Sequence, residues 1–399
     1  MGGQGSSLLR QANTRLVVEE LRRGGPTTRP ELARATGLAK QTVSTIVADL
    51  VADGIAREIG SSTPDRSGGR PAVLVEYAAD RAFVAGLEIG VGRTRIMLAD
   101  ALGHPVLVRE VLRHGRTVRN RGAVAVLGDV VGALVDAMED LGGVARLQAV
   151  GVSVTGLVQP LTGTCLLAPN LGWRDVAVGR LVGRSLLFAG ATVPVIVRGA
   201  AQASLIAEHR EGAARGQQNV VLLFEDEGVG AAVVEDGHLV EGVDGSAGEL
   251  GHCAWPGAQE RCGCGRRGCV ETLTSGPAVR RRVEASIEGK LPRRSGVPTY
   301  ALLAERADDP AVVEAVEEAG RVLGTATSWL TAITAPALVV LSGSLTGAPP
   351  PLRAAMTATL HERALHGAPP KVVAGELGAD AALRGVVLLA LDAARAATR

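Results

Sequence analysis

The residues Glu249-Leu250-Gly251-His252 are followed, after nine others, by Cys262-Gly263-Cys264-Gly265-Arg266-Arg267-Gly268-Cys269-Val270-Glu271. Three of the chain's five cysteines lie in that run. Cys262 and Cys264 are spaced to reach one ion, and the glycines before Cys269 let the chain fold back onto it. A closed tetrahedral site needs a fourth ligand. His252 is the nearest candidate, and Cys253 is the alternative. One imidazole with three thiolates favours Zn2+, and four protein ligands with no open position favour a structural ion over a catalytic one. Cys165 stands apart and reads as a buried thiol.

This stretch resembles the signature of the ROK family, whose name joins repressors, open reading frames and sugar kinases. The shared pattern is Glu-x-Gly-His, then Cys-x-Cys-Gly-x-x-Gly-Cys-x-Glu, found here at 249–252 and 262–271. The resemblance implies a zinc loop beside a sugar, with Glu249, His252 and Glu271 facing the ligand. His252 then has two tasks, one ring nitrogen on the metal and the other toward the ligand. The chemistry is sound, because a metal-bound imidazole keeps its second N–H as a fixed donor and carboxylates accept from hydroxyls. The segments 151–158 and Ala168-Pro169-Asn170-Leu171-Gly172-Trp173 also look like the family's stretches before and beside the sugar. Asn170 is then a hydroxyl partner. Read without the family, an asparagine after proline is a turn residue.

A chain of 399 residues has room for two or three domains. Hydrophobic residues make up 46% and aromatics 2%, so the cores must be built from alanine, valine and leucine. The net charge of +1 supplies no global field for nucleic acid, and any DNA site must be a local patch. Few cysteines, concentrated in one loop, indicate a reducing compartment and not a disulfide scaffold. No stretch approaches the roughly 20 apolar residues that span a bilayer. The start lacks the basic-then-apolar pattern of a signal peptide, so the expected location is cytoplasmic, without membrane insertion.

The first 78 residues read as a winged helix-turn-helix. Leu8, Leu9, Leu16, Val17 and Leu21 recur at helical spacing, and Gly24-Gly25-Pro26 ends that helix. Thr28 and Glu31 form a capping-box pattern ahead of a helix over 30–36. After the turn at Gly37, a second helix over 40–53 has Val43, Ile46, Val47 and Leu50 on one face. Its other face carries Lys40, Gln41, Thr42, Ser44 and Thr45, short donors and acceptors near the end that enters a major groove. Strands over 54–59 and 72–77 make a hairpin whose tip, Arg66-Ser67-Gly68-Gly69-Arg70-Pro71, suits phosphates or a narrow minor groove. Similar Gly-Arg-Pro wings occur in ROK repressors. The alternative is a three-helix module used only for dimer contacts.

From residue 82 strands and helices alternate, with strands over 83–91, 94–99, 106–112, 147–154, 193–197, 220–224, 230–234 and 337–341. The helices fall at 121–141, 200–210, 276–287, 311–334 and 351–365. This α/β chain resembles the actin-like, sugar-kinase type of two-lobed fold. The expected division is a first lobe over 79–196, completed by the C-terminal helix 381–396, and a second lobe over 197–380 that carries the zinc loop.

A ROK kinase needs a catalytic base, two glycine-rich phosphate loops and Mg2+. The resemblance puts the base in an Asn-Asp pair after the strand 193–197, where this chain has Arg198-Gly199. Glycine takes no proton. The first phosphate loop, Glu88-Ile89-Gly90-Val91-Gly92-Arg93, breaks the family's run. At the second, Glu225, Asp226 and Glu227 set three carboxylates where a triphosphate would sit. Neither enzyme activity nor ATP or Mg2+ binding is expected. Arg198 brings a cation toward the cleft, which suggests a sugar derivative bearing a carboxylate or phosphate. Its alternative is an internal salt bridge with one of the cleft glutamates.

The sequence therefore reads as a DNA-binding transcription regulator, a repressor of sugar or sugar-derivative metabolism, with a retired kinase fold as sensor and a structural zinc. Its partners would be a double-stranded DNA operator, a sugar or acidic sugar derivative, and further copies of itself in a homodimer or homotetramer. The other readings are a sugar kinase with a DNA-binding arm, a regulator controlled by a partner protein, and a zinc-responsive regulator.

Overall fold

The computed structural model describes residues 3–61, 72–91, 93–112, 121–287, 291, 297, 299–364 and 369–397. It divides into two compact units, 1–83 with 100–104, and 84–99 with 105–399.

The first unit runs α1 (Gly3–Gly24), β1 (Thr27–Thr28), α2 (Arg29–Thr36), α3 (Lys40–Ala52), β2 (Ala56–Ser61) and β3 (Val73–Tyr77). Thr28 caps α2 from Glu31's backbone N–H, and the Glu31 carboxylate accepts from the Thr28 N–H at 2.9 Å. The box closes two of the helix's otherwise orphan donors. β3 lies between β1 and β2 in a three-stranded sheet. Val17, Leu21, Leu32, Val43, Val47, Leu50 and Val75 meet in one core. Of the apolar residues expected on α1, Leu8, Leu9 and Leu16 are instead exposed. On α3, Lys40, Gln41, Ser44 and Thr45 are exposed and Thr42 is half-buried. Arg66 and Arg70, at the expected wing tip, lie outside the described residues.

The second unit opens with β4 (Phe83–Ile89), β5 (Arg93–Asp100), β6 (Pro105–Leu112), α4 (Ala123–Glu139) and β7 (Leu147–Val154). β8 (Leu157–Gln159), β9 (Thr164–Ala168), β10 (Trp173–Val176), α5 (Val178–Phe188), β11 (Val195–Gly199) and α6 (Ala200–Glu211) follow. Next come β12 (Val220–Glu225), β13 (Val229–Glu235), β14 (His238–Leu239), α7 (Glu271–Thr274), α8 (Gly276–Ser286) and α9 (Thr299–Ala304). The chain closes with α10 (Pro310–Thr334), β15 (Leu338–Gly343), α11 (Pro350–Glu362), β16 (Lys371–Ala374) and α12 (Ala381–Ala397).

Two five-stranded sheets carry this unit, ordered β11-β7-β4-β5-β6 and β14-β13-β12-β15-β16, with a small β10-β9-β8 sheet beside them. Helices α6 and α12 contribute to cores on both large sheets. Ala203 and Val386 pack with Leu222 and Val340 of the second, while Ala207 and Leu383 pack with Val84 and Ala149 of the first. The opposite face of the second sheet packs against α8, α10 and α11 through Val279, Val316, Leu323 and Leu352. The architecture is the two-lobed α/β arrangement that the sequence implies. The strand β16 and the β8–β10 sheet have no counterpart in the sequence reading, because strands this short show too little alternation to register. Helix α5 has none either, although Val178, Val182 and Leu186 recur at helical spacing along its buried face. Among the described residues, no helix is long and apolar enough to cross a membrane.

Candidate ligand and metal site

Strand β13 is the floor of the site. The 248–252 segment lies flat on it, because a Cβ at Gly251 would come within 2.0 Å of the Val229 carbonyl oxygen. Only glycine permits that approach. A short 3-10 turn, Leu250–His252, then turns the imidazole toward the cysteine loop. The loop closes on itself through the Cys262 N–H to Arg266 carbonyl bond (2.9 Å) and returns to the body through the Val270 N–H to Cys253 carbonyl bond (3.0 Å).

His252 Nδ1 lies 3.6 Å from Cys262 Sγ, and Cys264 Sγ lies 3.7 Å from Cys269 Sγ. One ligand atom from each of the four falls within 4.8 Å of every other, so the group can hold a single metal ion. Cys253 is exposed and lies outside this cluster. Burial pushes the Cys262 and Cys269 thiols up, so metal uptake at neutral pH releases protons. The other imidazole nitrogen, Nε2, faces Glu249 Oε2 at 3.9 Å. Carboxylates in that outer position orient a metal-bound imidazole. Glu271 reaches both ways. Its Oε1 accepts from the Cys262 thiol at 3.4 Å, and its Oε2 accepts from the Val229 N–H at 3.0 Å.

Glu249, His252 and Glu271 share one cavity, of about 110 Å³, with Asn170, Gly199, Ala200 and Gln202. Asn170 Nδ2 donates to the Glu227 carbonyl at 3.2 Å, which leaves its Oδ1 toward the loop. Arg198 does not line this cavity. It pairs with Glu241 at 3.0 Å, a glutamate that the sequence reading did not consider. Gly199 and Ala200 stand at the head of α6 and offer no carboxylate to the cavity. Glu208, further along that helix, is fully buried, and its carboxylate accepts from the N–H groups of Ala213, Glu376 and Leu377.

The acids expected at the phosphate loops lie differently. Glu88 is buried in an ion pair with Arg95, which also bonds Asp380 and the Ala379 carbonyl. Glu225 is 1% exposed and accepts from the Gly276 N–H at 2.8 Å, so it does not face the cleft as the sequence reading had it. The reason is register, since Glu225 continues β12, all six of whose residues are buried. Burial pushes the Glu225 carboxyl up to about 8, against the pull of the Gly276 N–H. A carboxyl whose pKa is raised by folding contributes its full stability below the unfolded pKa of 4.5, where it is protonated in both states. That contribution is lost as pH rises through about 8. Stability should therefore fall by a few kcal/mol between pH 5 and pH 8 in zinc-saturated protein, and Glu225→Gln should flatten this slope. Equal slopes in urea titrations of the two proteins would contradict the assignment.

Sequence reasoning also missed Gln202. Its signal was a lone amide in the alanine-rich run Ala200-Ala201-Gln202-Ala203, a polar side chain in a segment bound for burial.

The ROK family model matches residues 84–393, and a MarR family model matches residues 12–67. The chain belongs to the ROK family. It is 26% identical over 388 residues to the xylose repressor of Bacillus subtilis (strain 168), covering 97% of this chain and 96% of that one. A ROK family transcriptional regulator, a homolog of the E. coli MLC protein, has a similar crystal structure, with TM-score 0.71 and 24% identity over 97% of both chains. The ROK hexokinase of Thermus thermophilus has TM-score 0.62 and 26% identity, and the match covers 79% of this chain and 99% of that one.

Proposed function

We propose that this protein is a sugar-responsive transcription repressor of the ROK type, with a structural zinc and without kinase activity. The observation that carries this reading is the head of α6, where Gly199 and Ala200 present no proton acceptor to a cavity that keeps Glu249, His252 and Glu271. Phosphoryl transfer to a sugar hydroxyl needs a free base within hydrogen-bond reach, whereas binding a sugar does not. The two carboxylates of the lining are engaged otherwise, Glu249 facing His252 and Glu271 bonded to Cys262 and Val229. The match to the xylose repressor spans both units, while the hexokinase match spans 79% of the chain. That contrast supports a regulator.

Zinc suits the donor set. Thiolates about 2.3 Å from one tetrahedral ion stand about 3.8 Å apart, and a thiolate and an imidazole nitrogen about 3.6 Å apart. Two of the six separations match, at 3.7 Å for Cys264–Cys269 and 3.6 Å for His252–Cys262, and all six lie within 4.8 Å. His252, Cys262, Cys264 and Cys269 would hold the ion and so fix the loop that carries His252 and ends at Glu271. The effector is better read as a neutral sugar than as an acidic derivative, because Glu241 already occupies Arg198. Asn170, Glu249, His252 and Glu271 would bind it.

Lys40, Gln41, Thr42 and Ser44 would contact an operator from two copies of the chain, with Arg66 and Arg70 of the wing on the backbone or minor groove. A sugar that prefers one arrangement of the lobes then shifts DNA affinity by linkage. The test is capture of genomic fragments by zinc-loaded protein, with and without D-xylose. A two-fold-symmetric site should emerge, and Gln41→Ala should bind it about tenfold or more weakly with little change on unrelated DNA. Uniform retention of all fragments by both proteins would reject a sequence-reading α3. ATP-dependent phosphorylation of the sugar would reject the loss of kinase chemistry.

A further inference from the structure

We propose that Gln202 reads the ligand, with its Oε1 accepting a hydrogen bond from a ligand hydroxyl, and that the cavity selects uncharged, donor-rich sugars. This rests on the reading of the cavity as a sugar site. Gln202 sits in the first turn of α6, is 5% exposed, and lines the cavity. Its Nε2 donates to the Gly245 carbonyl at 3.2 Å, which fixes the amide's orientation. Its Oε1 is buried and has no partner among the described residues. A buried acceptor left unpaired is costly, so the donor that completes it belongs to whatever fills the cavity.

The rest of the lining sets the ligand's class. Glu249 and Glu271 are acceptors, and Gln202 Oε1 adds a third. The nearby cation, Arg198, is held by Glu241 outside the lining. Acceptors with no arginine or lysine among the described residues of the lining disfavour carboxylates and phosphates and favour several hydroxyl donors on a neutral ring. The segment 241–245 strengthens the argument. It is tied back by the Arg198–Glu241 pair, by the Gln159 Nε2 bond to Asp244 Oδ1 at 2.7 Å, and by Gln202 itself. Gln202 therefore bonds this segment through Nε2 and also lines the cavity beside it.

The experiment is calorimetry on the full zinc-loaded chain with D-xylose, D-glucose, N-acetyl-D-glucosamine and D-glucuronate, then with the monodeoxy analogues of the tightest binder. On the native protein, at least one deoxy position should cost about tenfold in Kd. Gln202→Met should bind the parent sugar about tenfold more weakly and lose discrimination at one of those positions only. If Q202M keeps the native discrimination at every position, the Gln202 contact is overturned while the sugar site stands. Tighter binding of D-glucuronate than of D-glucose overturns the neutral class. If none of the four sugars binds the native protein, the sugar reading falls and the contact with it. Should Q202M fail to fold, Gln202→Asn, which keeps the amide but draws it back by one methylene, should weaken the parent sugar and lose discrimination at that same position, and unchanged discrimination there overturns the contact.

Discussion

Replacing Cys264 by serine should strip the metal and lower the melting temperature by about 10 °C. The reasoning starts at the loop. Cys262 and Cys269 are buried, and the loop they close has little apolar content of its own. Its geometry is set by backbone bonds such as Cys262 N–H to the Arg266 carbonyl and Gly268 N–H to the Glu260 carbonyl, and by the four residues that can hold a metal ion. A hydroxyl is a poor substitute for a thiolate on zinc, so removal of one of four ligands should release the ion. The damage should spread, because Leu250 and Val270 flank the loop and belong to the second sheet's core with Val229, Ala231 and Tyr300. Loss of about 3–5 kcal/mol in a unit of this size corresponds to a drop on the order of 10 °C. Zinc measured by elemental analysis should fall from about one per chain to near none, and sugar binding should weaken as His252 loses its fixed tautomer. An unchanged zinc content would reject the assignment outright. Metal loss with an unchanged melting temperature would reject the structural role alone.

The clustering of His252, Cys262, Cys264 and Cys269 is legible because ligand chemistry fixes both residue type and spacing, and these four carry that information without help from the fold. Glu31 and Thr28 were equally plain, since a capping box is local. What failed was orientation. Adjacency to Asp226 and Glu227 points Glu225 to the cleft, yet β12 is buried along its whole length and its alternation says nothing about which way a side chain points. Sequence alone offers Glu249 and Glu271 as partners for Arg198, but its partner is Glu241, 43 residues away on a connecting segment. Arg95 and Asp380, 285 residues apart, pair through a contact that only the fold creates. Local chemistry is written in the chain, whereas the pairing of distant charges and the facing of fully buried strands depend on topology.

Gly385→Ala should destabilise the second unit by about 3 kcal/mol or more and weaken sugar binding with it. Alanine is normally better than glycine in a helix by about 1 kcal/mol, so the propensity argument alone predicts the reverse. Packing decides the sign. A Cβ at Gly385 of α12 would lie 1.9 Å from the Ala203 carbonyl oxygen of α6, and one at Gly151 of β7 would lie 2.0 Å from the Val386 carbonyl oxygen. Both obstacles are backbone, so no rotamer relieves them, and α12 must move away from α6. That shift loosens Leu383, Val386 and Val387, which belong to the cores on both large sheets. It also moves Ala203, the immediate neighbour of Gln202, and so disturbs the cavity wall. The control is Gly128→Ala or Gly132→Ala on α4, where a new Cβ meets nothing within 4 Å. Those substitutions should stabilise by about 0.5–1 kcal/mol. Thermal melts of the three variants separate the effects. If Gly385→Ala behaves like the two controls, α6 and α12 do not pack backbone to backbone, and the helix pair shared by the two sheets is not the rigid element that holds the cavity.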